Sequence, residues 1–187
     1  MRTLLLVAAL LTFSSSIIAQ DNPVVIMETS KGTIKIELRP DLTPITVENF
    51  LRYVDNGYYD GLIFHRVING FMIQGGGFDS DIVQKSTYDP IKNEADNGIS
   101  NARGTISMAR TGVVDSATSQ FFINLVNNAN LDFQNPSLSG YGYTAFGSVI
   151  EGMEVVDEIA LVATGNVRGY SDVPLEPVII TTVRRGE

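Results

Sequence analysis

From Val24 to Leu38, apolar and polar residues alternate with a period of two. Val24 to Glu28 and Thr33 to Leu38 are joined through Ser30-Lys31-Gly32, with Ile34, Ile36 and Leu38 on one face and Lys35 and Glu37 on the other. That pattern predicts an antiparallel hairpin with one exposed face. The period then lengthens: Val47, Phe50, Leu51 and Val54 fall at i, i+3, i+4 and i+7, the apolar stripe of a helix suited to cover the mouth of a sheet. Thr43 is placed to cap this helix, Pro44 to take its first position and Gly57 to end it. Strand-like pieces recur at Gly61 to Gln74 (a hairpin), Thr105 to Ala109, Gln120 to Val126, Thr144 to Ile150 and Val178 to Val183. Gly152 to Ala160 reads as a short helix, with Met153, Val156 and Ala160 inward and Glu154, Asp157 and Glu158 outward. Asp79 to Asn101 predicts an ordered polar excursion; Arg110 to Ser119, Asn127 to Tyr141 and the stretch around Gly165 to Asp172 predict loops.

About eight strands and two helices, with no βαβ rhythm and no repeat, predict an all-β dominated fold: a closed eight-stranded antiparallel β-barrel capped by two α-helices. A barrel of that size has an interior filled by side chains, so function is expected on its outside or on loops.

The second hairpin carries the informative chemistry. Asn69-Gly70 between two apolar runs is a turn signal. A two-residue loop would set Arg66 opposite Ile73. A three-residue loop, Asn69 to Phe71, would set Arg66 opposite Gln74, on the face of Phe64, Ile68 and Met72. The second register is preferred, because it lets Arg66 and Gln74 orient each other on an apolar floor and leaves Val67 and Ile73 for the opposite face. A fixed guanidinium there is a rigid donor toward a carbonyl or amide. His65, adjacent to Arg66, is expected on the other face as a packed residue.

Composition narrows the classes. The chain has 187 residues, 44% hydrophobic and 18% charged, with 17 Gly and 7 Pro, in keeping with one globular domain rich in turns. A net charge of −8 without a Lys/Arg cluster speaks against nucleic-acid binding. There is no Cys and one His, so disulfides, thiolate metal sites and thiol nucleophiles are excluded, and zinc would need unusual ligands. Arg2, the apolar run Leu4 to Leu11, the serines that follow and Ala19 read as a secretory signal peptide over residues 1–19, leaving a domain over 20–187. Ile17 is larger than usual at its place before the cut, and an uncleaved anchor is the alternative. The expected location is periplasmic or secreted, with no membrane contact after cleavage.

A second motif joins the first. Gly104-Thr105-Ile106-Ser107-Met108-Ala109-Arg110-Thr111 leads to Ser116-Ala117-Thr118-Ser119-Gln120-Phe121-Phe122-Ile123-Asn124. With Phe64 to Phe78, and with Phe146-Gly147 and Gly152 to Asp157 near the end, this resembles the cyclophilin family of peptidyl-prolyl cis–trans isomerases over about Val24 to Val183. The polar insert Ile91 to Gly98 is most similar to the bacterial periplasmic branch.

The resemblance implies rotation about X-Pro bonds in unfolded or proline-containing polypeptides, assisting the folding of exported proteins, without cofactor or metal. It implies that Arg66 is catalytic and that Gln74 positions it. Phe71, Met72, Phe122 and Leu131 would receive the proline ring, and Ala109, Arg110 and Gln120 would hold the peptide backbone. Tyr143 would complete the pocket where animal members usually carry His. Arg110 replaces a frequent Asn, and Gly77 stands where many members have Asp. Asn130 stands where animal members have Trp, so weak cyclosporin binding is expected. A monomer is the default. The alternative is a non-catalytic proline-peptide-binding or chaperone module on the same fold.

Overall fold

The computed structural model describes residues 22–186, so the leader expected over residues 1–19 lies outside the described residues. Ten strands and two α-helices follow in the order β1 (Val24–Thr29), β2 (Gly32–Leu38), α1 (Pro44–Asp55), β3 (Phe64–Ile68), β4 (Met72–Gly75), β5 (Thr105–Met108), β6 (Phe121–Asn124), β7 (Ala145–Glu151), α2 (Met153–Ala160), β8 (Thr164–Val167), β9 (Tyr170–Pro174) and β10 (Ile180–Arg185). Eight strands form one antiparallel sheet in the order β10-β1-β2-β7-β5-β6-β4-β3, and β8 pairs only with β9.

The predicted closed barrel is corrected to a curled, open sheet. Its two edge strands, β10 and β3, form no ladder with each other. The seam carries the single bridge Ile63↔Ile179 and a few backbone bonds, among them Ile180 N–H to Leu62 O at 2.7 Å and Phe64 N–H to Val178 O at 3.0 Å. Pairing therefore happens just before β3 and just before β10, where neither chain is extended long enough to continue it.

The concave face is apolar and aromatic. Phe50 from α1 lies 5.1 Å from Phe146 and meets Phe121 edge-on at 5.9 Å. Phe64, Phe121, Phe146, Ile34, Ile36 and Ile73 are all fully buried. Edge-to-face rings at these spacings add to the area they bury. The apolar stripe of α1 behaves as expected, with Val47, Phe50, Leu51 and Val54 buried.

The start of α1 does not. Thr43 occupies the cap position, but its hydroxyl donates to Arg39 O at 2.9 Å and makes no cap bond. The carboxylate of Glu94, from the polar excursion, accepts from Ile45 N–H at 3.2 Å and from Thr46 N–H at 2.8 Å instead. A carboxylate satisfies two orphan donors and favours the positive end of the helix. The excursion is thus tied to the start of α1.

β8 and β9 correct the loop expected around Gly165 to Asp172. Val167 pairs with Tyr170 across Arg168-Gly169, whose φ values are +50° and +88°. Two successive positive φ values are the signature of a two-residue hairpin turn. Arg in place of the usual Asn hid it.

Candidate active site

The preferred hairpin register is the observed one: Arg66 pairs with Gln74, Val67 with Ile73 and Ile68 with Met72. Gly70, at φ +74°, takes the left-handed position of the turn, and Phe71 N–H closes it on Ile68 O at 3.1 Å. Alternation along β4 and β6 then sorts the side chains. Ile73, Phe121 and Ile123 face the core, while Met72, Gln74 and Phe122 face outward.

One expectation fails at β3. The pairing shifts between Phe64 and Arg66, because Phe64 lies opposite Gly75 while Arg66 lies opposite the adjacent Gln74. His65 is therefore a bulge residue. Phe64 turns into the core rather than sharing a face with Arg66, and His65 turns onto the Arg66 side rather than away from it.

The outward face forms a cavity of about 480 Å³. Its wall includes all ten residues singled out from the sequence: Arg66, Gln74, Phe71, Met72, Ala109, Arg110, Gln120, Phe122, Leu131 and Tyr143. His65, Phe78, Gln84, Tyr170 and Ser171 complete it. Met72 and Phe122 are buried, and Phe122 meets Tyr143 edge-on at 5.7 Å, so the floor is a fixed apolar surface.

The polar groups are held unequally. Gln74 Nε2 donates to Gln120 Oε1 at 2.9 Å, so the ladder sets Gln74 beside Arg66 while its hydrogen bond runs to Gln120. The Arg110 guanidinium is committed to the wall: Nε donates to Gly142 O at 2.8 Å, and the group stacks 4.8 Å over the Tyr143 ring. Arg66 is different. Among the described residues its charged partner is Asp172, Nε to Oδ2 at 3.8 Å, beyond hydrogen-bond reach. That leaves a guanidinium at the cavity with donors to spare.

His65 is 6% exposed, lies 4.6 Å from the Phe78 ring, and its Nδ1 has no partner. Burial pushes its pKa down to about 4, only partly opposed by the Ile63 backbone and the Gln120 side chain. It is a neutral wall residue, not a base poised near neutrality.

Gly77 explains how Gln120 lies so close. A Cβ there would come within 2.6 Å of Gln120 Cγ and Nε2. Gly77→Ala should displace the Gln120 side chain, break its bond with Gln74 and lower kcat/KM on an X-Pro peptide about fivefold, the worth of one hydrogen bond of ~1 kcal/mol. Unchanged kinetics would show that Gln120 needs no such seat.

The sequence reading missed the support beneath the wall. Asn101 Nδ2 donates to Leu131 O and to Tyr143 O, both at 3.2 Å, and Asn128 Nδ2 donates to Phe71 O at 3.0 Å. Ser107 Oγ donates to Asn101 Oδ1 at 2.7 Å, and Asn128 Nδ2 also reaches Asn124 Oδ1 at 2.7 Å. Three wall residues are thus fixed through their carbonyls by one buried network. Asn124, ending the run Phe121-Phe122-Ile123, was the available signal: an amide in an apolar strand needs partners.

The family described as "Cyclophilin type peptidyl-prolyl cis-trans isomerase/CLD" matches residues 24–185. The chain is 54% identical over 163 residues to peptidyl-prolyl cis-trans isomerase B of Escherichia coli (strain K12), covering 87% of this chain and 99% of that protein. It is 51% identical over 178 residues to peptidyl-prolyl cis-trans isomerase A of Dickeya dadantii (strain 3937), covering 95% and 92%. Among solved structures, a cyclophilin type peptidyl-prolyl cis-trans isomerase of Cryptosporidium parvum superposes with a TM-score of 0.75 at 27% identity, covering 89% of this chain and 98% of that one. The same protein crystallised in the presence of the dipeptide Ala-Pro gives 0.71 at 26% identity, covering 88% and 99%.

Proposed function

The chain belongs to the cyclophilin-type peptidyl-prolyl cis–trans isomerase family and is a rotamase, and on that premise we propose that Arg66 drives the rotation while the hollow of Phe71, Met72, Phe122 and Leu131 holds the proline ring. The barrier is amide resonance, about 18–20 kcal/mol. Twisting the X-Pro bond makes the proline nitrogen pyramidal and returns its lone pair. A guanidinium N–H donates to that lone pair only in the twisted form, so the interaction belongs to the transition state. An acceleration of ~10⁵ needs roughly 7 kcal/mol. One preorganised donor to charge that develops in the transition state contributes about 2.7–4 of it. Water exclusion by the apolar floor and restraint of one side of the bond by Gln120 and the Ala109 segment contribute the rest.

The observation that carries this reading is the contrast between the two cavity guanidiniums. Arg110 is bound into the wall, whereas Arg66 holds only a long ion pair beside the ring-sized hollow. A protease-coupled isomerisation assay comparing wild type with Arg66→Ala tests it, and equal rates would end the assignment.

The clients we propose are exported polypeptides, met in the periplasm or outside the cell. Arg2 and the apolar run Leu4 to Leu11 support that reading. The protein acts as a monomer in this view. The exposed Asn130, just before Leu131, presents no indole donor, so cyclosporin should inhibit poorly. Inhibition curves should need far more drug than for a member with Trp there, and equal potency would refute the point.

A further inference from the structure

We propose that Asp172, carried by the β8–β9 hairpin, is a positioning residue for Arg66, an inference that rests on the role given to Arg66 above. The hairpin is not a loose flap. Val173 is 2% exposed and anchors it in a small apolar cluster with Ile63, Phe78 and Ile82, against which Val167 and Ile179 also pack. The Tyr170 ring meets Phe78 at 5.2 Å, while the exposed pair of Arg168 with Asp81 at 3.8 Å adds little to the mooring. β9 is thus moored beside β3, with Tyr170 and Ser171 in the cavity wall.

Within β9 the backbone is bent where Asp172 sits. Gly165 pairs with Val173 and Val167 with Tyr170, so Ser171 and Asp172 together face the single residue Asn166. This is a β-bulge, a device that re-aims side chains. Asp172 takes φ +61°, a conformation that Asp and Asn accept more readily than most residues. The outcome is a carboxylate directed at Arg66, which is itself beside the His65 bulge of β3.

Contact with Nε has a chemical consequence. A carboxylate on that side of the planar group leaves both Nη groups for the cavity, whereas a bidentate pair would have consumed them. An Arg side chain has many rotamers, and a single charge at 3.8 Å restrains it without occupying its donors. Gln74 donates its Nε2 to Gln120, and among the described residues no hydrogen bond joins its Oε1 to Arg66.

Asp172→Asn is the decisive variant, because Asn tolerates the same backbone and removes only the charge. The pair is partly exposed, 43% on each side, so the expected effect is bounded by what such pairs are worth: a three- to fivefold loss. It should fall in kcat, with KM on an Ala-Pro peptide within about twofold, as a restraint on a transition-state donor requires. In an Arg66→Ala background Asp172→Asn should cost nothing further. Asp81→Asn, which cuts the hairpin's other ion pair away from Arg66, should leave kcat unchanged. Unaltered kcat in Asp172→Asn, an additive loss in the double variant, or an equal loss in Asp81→Asn would each overturn the proposal. Failure of Arg66→Ala itself to lower the rate would instead overturn the reading beneath it.

Discussion

Arg66→Ala is expected to lower kcat/KM for X-Pro isomerisation by at least about 100-fold, or ~2.7 kcal/mol. The size follows from what is removed. A preorganised donor aimed at charge that develops only in the transition state contributes about 2.7–4 kcal/mol when the site excludes water. The floor of Met72 and Phe122 is buried and fixed, which supplies that environment. KM should move little on the proposed reading, in which the apolar hollow grips the ring and the ground-state imide nitrogen offers no lone pair to Arg66. The loss must therefore appear in kcat and kcat/KM alike, measured by trapping the trans peptide with a conformation-specific protease. A variant whose KM rises while kcat stays constant would show that Arg66 merely binds. Folding is not the explanation for the expected loss. The core side of β3 is carried by Phe64 and Val67, and Arg66 makes only a long, partly exposed ion pair, a kind of contact that contributes little to stability.

Arg66, Gln74 and Met72 were legible as one face because a strand's period is two and Asn-Gly pins a hairpin, whereas the other seven wall residues were implied by the resemblance to the cyclophilin family. Once Arg66 is opposite Gln74, Met72 must share the outward side with Gln74, and pairing of β4 with β6 brings Phe122 opposite Gln74. What the period cannot carry is a residue that breaks it. His65 adds one residue to β3 with no change in composition, and every inference drawn across it, for Phe64 and for His65 itself, inverted. A second bulge, at Ser171-Asp172, lies in a stretch expected to be a loop. Both bulges flank the cavity, where a side chain has to be aimed off the regular pleat.

Other features were hidden by distance along the chain. Thr43 followed by Pro44 is a sound local cap signal, yet Glu94, 49 residues beyond Ile45 in sequence, takes the orphan amides of α1. Local rules rank candidates only against their neighbours and not against a carboxylate delivered by tertiary structure. Closure of the sheet was over-read for a similar reason. The eight strands of the main sheet were countable, but whether β3 and β10 join depends on the geometry of Ile63 and Ile179 just outside them.

Acidification should weaken the fold chiefly through His65, by about 3 kcal/mol between pH 7 and pH 4. Burial beside Phe78 lowers its pKa to about 4 from the ordinary 6.5. Above both values neither state binds the proton and the group contributes its full share. As the pH falls below 6.5 the unfolded chain takes up a proton that the folded chain refuses, and stability declines with a slope approaching 1.4 kcal/mol per pH unit. Below about 4 the folded imidazole is protonated too and the decline from this group stops. The window is unusually clean because the chain has one His and no Cys. Asp55 and Asp157, held below the usual carboxylate range by hydrogen bonds from Arg185 and Arg103, lose their contribution in the same direction but at lower pH. Urea unfolding at intervals from pH 7 to pH 4 measures the slope, and His65→Gln should flatten it whatever its effect on stability at pH 7. An unchanged slope in that variant would assign the acid sensitivity to the carboxylates. With its pKa near 4 the imidazole is a weak base that keeps one protonation state from pH 5.5 to 8, so kcat/KM should stay level across that range, the behaviour of a reaction that moves no proton.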